Sequence, residues 1–133
     1  MFKLQKLVCR AHAYVTEDFE KVKAAVANVL QNTNFSAKKF LLEGHFGDPI
    51  TVYECLLNDE EDVIEVFRKV VGSVGLSSVG IEEKQSSGGK IHIRIDKQKA
   101  FLGEFEAEDV DPIKLEFSYV GDWREAEKWL RSL

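Results

Sequence analysis

The chain has 133 residues, 44% of them hydrophobic and 31% charged, with a formal net charge of −5. That length and mix describe one globular domain able to bury about two-thirds of its unfolded surface, and exclude a disordered or fibrous chain. The negative balance argues against a general polyanion binder, so any nucleic-acid contact must come from a local basic patch.

Residues 4–15 alternate as a half-buried strand, with Leu7, Cys9, Ala11, Ala13 and Val15 on one face and Lys6, Arg10, His12 and Tyr14 on the other. Thr16 is placed to cap the helix that follows, and Glu17 and Asp18 suit the positive end of its dipole. Phe19, Val22, Val26, Val29 and Leu30 recur at helical spacing, and Asn32 and Asn34 end the run. Strands are predicted near 37–43 and 50–57, joined by the glycine- and proline-rich turn Gly44 to Pro49. Asn58 with Glu61 is close to a capping box and opens a second helix, whose stripe is Val63, Ile64, Phe67, Val70 and Val71. Gly72 is its expected terminator.

Residues 72–90 read as loop, with Ser86-Ser87-Gly88-Gly89 a flexible turn. A strand follows in which Ile91, Ile93 and Ile95 point inward and His92 and Arg94 outward. Phe101 to Glu106 predicts a shorter strand, and Ile113, Leu115, Phe117 and Tyr119 the last clear one. Asp122 with Glu125 caps a terminal helix that sets Trp123, Ala126 and Leu130 against the sheet. The order predicts an α+β fold over residues 1–133: a mostly antiparallel sheet with helices on one face, a two-layer sandwich.

The chemistry-bearing patterns are sparse. Neither GxSxG, GxGxxG nor GxxxxGK[ST] occurs, and the carboxylates Asp59 to Glu65 are explained as helix-entry acids complementing the dipole. His12, His45 and His92 have no spacing that demands a metal, and Cys9 and Cys55 lack CxxC spacing, so both are read as buried thiols. No enzyme activity, cofactor or metal is expected. The apolar runs fall short of the roughly 20 residues of a membrane span, and the first 15 residues lack a cleavage site, which predicts a cytoplasmic protein. One segment stands out. From Lys84 to Lys99, Lys84, Lys90, Arg94, Lys97 and Lys99 face a single acid, Asp96, a +4 stretch in an acidic chain. Phosphate-backbone contact needs such a stripe.

Three blocks also carry a family resemblance. Arg10 to Ala13 with Val15 to Val22, Glu43 to Ile50, and Arg94 to Glu104 with Asp111-Pro112-Ile113 are similar, in this order and spacing, to an archaeal family of RNA-binding proteins and predicted exosome subunits. The resemblance spans residues 8–120 and implies a ribosomal-protein-L5-like fold, no catalytic residues, and RNA as partner. The family carries Asn where this chain has Asp48, which sets a negative charge beside His45. Residues and resemblance together give a candidate RNA-contact set of Arg10, His12, His45, Phe46, Lys90, His92, Arg94, Lys97, Gln98 and Lys99. Gln98 could meet a base edge or ribose hydroxyl, and Phe46 and Tyr14 could stack an unpaired base. The alternative is a protein–protein adaptor or homodimeric subunit of an RNA-processing complex that does not touch RNA.

Overall fold

Four central strands pair into one antiparallel sheet because each has an apolar face to bury, and two more are added at its edges by backbone pairing. The computed structural model describes residues 2–132 except Asn32, His45, Ser86 and Ser87, and leaves out the side chains of Glu83, Lys84, Gln85 and Trp123. In chain order the elements are β1 (Lys3–Ala13), α1 (Phe19–Leu30), β2 (Ser36–Glu43), β3 (Pro49–Leu57), α2 (Glu60–Val74), a 3₁₀ turn (Leu76–Ser78), β4 (Gly80–Gln85), β5 (Gly88–Ile95), α3 (Lys97–Phe101), β6 (Ile113–Val120) and α4 (Trp123–Arg131). The strand order is β2-β3-β1-β6-β5-β4, and every pairing is antiparallel. β1 and β6, from opposite ends of the sequence, sit side by side at the centre.

One parity of each central strand enters the core. Leu7, Cys9 and Ala11 of β1, Ile91, Ile93 and Ile95 of β5, and Leu115, Phe117 and Tyr119 of β6 are all buried there. The stripes of α1 (Val22, Val26, Val29, Leu30), α2 (Val63, Phe67, Val70) and α4 (Ala126, Leu130) complete the same cluster. Phe67 meets Phe117 edge-on with ring centroids 4.9 Å apart and leans on Trp129 at 5.2 Å. Cys9 faces Cys55 across β1 and β3, and both are free and buried. Burial pushes both thiols up, so they stay protonated and unreactive.

Several local expectations are corrected. Asp18, not Thr16, caps α1 by accepting from the Glu20 amide, and Asp59, not Asn58, caps α2 by accepting from Asp62. Val15 falls in the turn after β1 and is exposed. α2 runs past Gly72 to Val74, and Gly75 at φ +86° takes the termination, since only glycine holds that conformation cheaply. The stretch read as loop contains β4. Its only apolar side chain is Ile81, so no alternation announced it, and pairing with β5 supplies the order instead. The strand expected over 101–106 is a helix end and a loop with one isolated bridge, Ile95 to Ala107. Asp96 starts α3 by accepting from the Lys99 amide, and the Asn28 amide on α1 donates to the carbonyls of Ala100 and Phe101.

Phe67 is wholly buried and packs on both Phe117 and Trp129. Phe67→Ala should cost about 3–5 kcal/mol, read as a lower urea midpoint with an unchanged m-value.

Candidate nucleic-acid interface

The parity left over by core burial forms the open face of the sheet. Register brings one residue from each of five strands into a single row: Lys38 opposite Glu54, Glu54 opposite Arg10, Arg10 opposite Lys114, and Lys114 opposite Arg94. At about 4.8 Å between strands the row is about 19 Å wide. It holds four cations and one carboxylate. Glu54 accepts from Arg10 Nε at 2.8 Å and from Lys38 Nζ at 3.2 Å. The Arg10 hydrogen bond is the main reason its carboxyl titrates below the usual range. Among the described residues neither Lys114 nor Arg94 has an ion-pair partner. Arg10, His92, Arg94, Lys114 and Glu116 line a shallow cavity of about 250 Å³ in this face.

The flanking rows are closer to neutral. Lys90 pairs with Glu116 at 2.9 Å, and His92 Nε2 lies 2.8 Å from a Glu82 carboxylate oxygen. His12 lies on the same face, its ring edge-on to Tyr14 with centroids 6.4 Å apart. Burial, then Lys114, holds its pKa below the ordinary imidazole value, with Arg10 and Lys97 adding to the effect and Asp111 opposing it. Beyond Arg94, Glu108 and Asp109 border a second cavity of about 680 Å³ with Ser78, Gly80 and His92. The basic row therefore ends against an acidic loop.

Of the expected contact residues, Arg10, His12, Lys90, His92 and Arg94 share the open face. Lys97 does not. It is 7% exposed, and its ammonium donates to the His12 carbonyl at 2.8 Å, to Glu17 at 2.8 Å and to Asp111 at 2.6 Å, with the Tyr14 ring 5.5 Å away. An ammonium so enclosed ties the end of β1 to the turn before α1 and to the loop before β6. Those carboxylates already neutralise it, away from the open face. Gln98 and Lys99 leave the stripe too, since the chain turns into α3 and docks on α1, where Gln98 lines a groove with Lys21 and Phe101. Lys99 reaches Glu104 at 3.8 Å. Phe46 is 89% exposed in the β2–β3 turn. Between the row at Glu54 and that turn lie five residues of β3, or about 16 Å. His45 lies outside the described residues, as does the side chain of Lys84.

Lys38 and Lys114 were absent from the sequence-based set. The outward parity of Lys114 was readable, since it stands between the buried Ile113 and Leu115, whereas β2 has no buried alternation to place Lys38. What the sequence lacked was the strand order that sets Lys114 between Arg10 and Arg94. Among the described residues no three His, Cys, Asp or Glu side chains group as a metal would need, and no helix is long and apolar enough to cross a membrane.

Among the described residues, a six-stranded antiparallel sheet and four helices define the class as an α+β fold. The family model described as RNA binding matches residues 6–119, and the chain belongs to that family. It is 29% identical over 118 residues to the RNA-binding protein PAB1135 of Pyrococcus abyssi, covering 80% of this chain and 77% of that one. Among solved structures it resembles Mth689, a DUF54 protein from Methanothermobacter thermautotrophicus, at TM-score 0.69 and 29% identity, covering 86% of this chain and 83% of that one. AF2318 from Archaeglobus fulgidus, also assigned to DUF54, superposes at TM-score 0.69 and 27% identity, covering 86% of each chain.

Two measurements test these assignments. Lys97→Met, which strands Glu17 and Asp111 without their cation, should cost about 2 kcal/mol in urea unfolding, less than a fully buried pair because both carboxylates are partly exposed. For His12 the folded pKa lies below the unfolded one, so the unfolded chain binds more protons and stability falls as pH drops below about 6.5. His12→Gln should therefore gain on the wild type between pH 7 and 5, in unfolding curves taken across that range.

Proposed function

We propose that this chain is a non-catalytic cytoplasmic RNA-binding protein. In this reading it works in RNA processing in association with an exosome, on a scaffold of the ribosomal-protein-L5-like kind that the sequence resemblance implies. It grips RNA through the open sheet face. The observation that carries the reading is the in-register row of Lys38, Arg10, Lys114 and Arg94 around a single carboxylate, in a chain whose net charge is −5. Membership of a family described as RNA binding, and the RNA-binding name of the Pyrococcus abyssi relative, support the same ligand.

The side chains on the row also suggest a kind of RNA. Single-stranded recognition relies on exposed aromatic platforms; the row itself holds four cations and Glu54, and the rings of Phe40, His12 and His92 stand only in the rows on either side of it. Cations spaced across the face suit the phosphates of a structured RNA, contacted along its backbone.

Filter binding of a hairpin RNA and an unpaired oligomer over a salt series tests this. Affinity should fall as salt rises, the hairpin should bind tighter, and Arg10→Ala, Arg94→Ala and Lys114→Ala should each flatten the salt slope by about 0.7–0.9. Glu54→Gln, which releases Arg10 and Lys38, should strengthen binding. An affinity indifferent to salt and to all four substitutions would discard the reading and favour an adaptor that does not touch RNA.

A further inference from the structure

The two edges of the sheet are built differently. β4 is six residues long and shifts register between Glu83 and Gln85, a device that keeps an edge from templating another strand. β2 has no such guard. It pairs with β3 through eight consecutive residues with no shift, and no proline or bulge interrupts it. On its other side, among the described residues, no strand pairs with it. Seven of its eight residues are exposed, Leu41 at 67% and Leu42 at 46%. Its lysines do not blunt the edge either, since Lys38 turns to Glu54 and Lys39 lies 4.6 Å over the Phe19 ring of its own α1. An eight-residue edge strand without bulge or proline, exposing Leu41 and Leu42, invites another strand.

The sequence of β2 points to which strand. Lys39-Phe40-Leu41-Leu42-Glu43 runs cation, three apolar residues, anion. Laid antiparallel on itself about Leu41, Lys39 of each copy faces Glu43 of the other, Phe40 faces Leu42, and Leu41 faces Leu41. Directly opposed residues share a face, so this register keeps both helix layers on one side of a doubled sheet. Among registers with that property it alone opposes unlike charges. Sliding two residues one way sets apolar against charged, and sliding four sets Lys39 against Lys39. We propose that two copies of this chain associate through their β2 edges in this register, about a two-fold axis at Leu41. The closed, self-complementary contact is the ordinary form of a soluble dimer. It also joins the open faces of the two copies into one surface, but it does not depend on what that surface binds.

Sedimentation velocity on nuclease-treated full-length protein over a dilution series tests the proposal. The wild type should run as a dimer that dissociates on dilution. Lys39→Glu and Glu43→Lys, both at exposed positions, should each weaken association about tenfold, because two opposed pairs change from unlike to like charge. An equimolar mixture of the two single variants should recover the dimer. One variant then carries carboxylates at both positions and the other carries ammonium groups at both, so every opposed pair is again unlike. Circular dichroism verifies that both variants remain folded. A monomer at every concentration overturns the proposal, and so does a dimer that both reversals leave unchanged or a mixture that does not recover. The Arg10, Arg94 and Lys114 variants should leave the dimer intact, so failure of RNA binding and failure of dimerisation are read separately.

Discussion

The insertion of β6 between β1 and β5 is the constraint on which the rest of the molecule turns. Ile113, Leu115, Phe117 and Tyr119 must all reach the core, and the two-residue period of a strand then fixes where Lys114, Glu116 and Ser118 point. A slip of one residue would bury Lys114 and expose Phe117, at a cost no surface charge could offset. The hydrophobic demand of β6 therefore determines the basic row. Arg10 and Arg94, 84 positions apart in sequence, are bridged by one lysine because burial elsewhere leaves no other register.

Lys97 shows the same logic with the opposite outcome. In the sequence it extends a run of positive charge past Arg94. In the fold, Asp96 starts a helix there, and the lysine turns inward onto Glu17, Asp111 and the His12 carbonyl. A lysine enclosed to this degree needs paired charges and a polar backbone partner, and the turn after β1 and the loop before β6 provide them. The block that most suggested an RNA contact thus serves partly as the fastening that holds the end of β1 to those two segments.

The net charge of −5 and the open face are reconciled by segregation. The acids gather at the start of α2 and in the loop of Glu106, Glu108 and Asp109, whereas the row across the open face carries four cations against Glu54. Fields from a small cluster act over a Debye length of about 8–10 Å. The acids at the start of α2 are set apart from the row by the fold, whereas Glu108 and Asp109 border its Arg94 end.

The sequence by itself determined the elements whose burial has a period. The apolar stripes of α1 and α2, the inward isoleucines of β5 and the parity of β1 and β6 were all legible, because burial of one face writes alternation into the chain. It also showed that Arg10, His12, His92 and Arg94 face outward. β4, with Ile81 as its only apolar side chain, carries no such period, and α3 is set by the Asp96 cap and the Asn28 amide rather than by any stripe. Only the tertiary structure decided that Lys114 joins Arg10 to Arg94, that Lys38 and Glu54 extend the row, and that Lys97 leaves it. Those are matters of strand order and of contacts between distant residues, and local periodicity contains no information about which strand lies beside which.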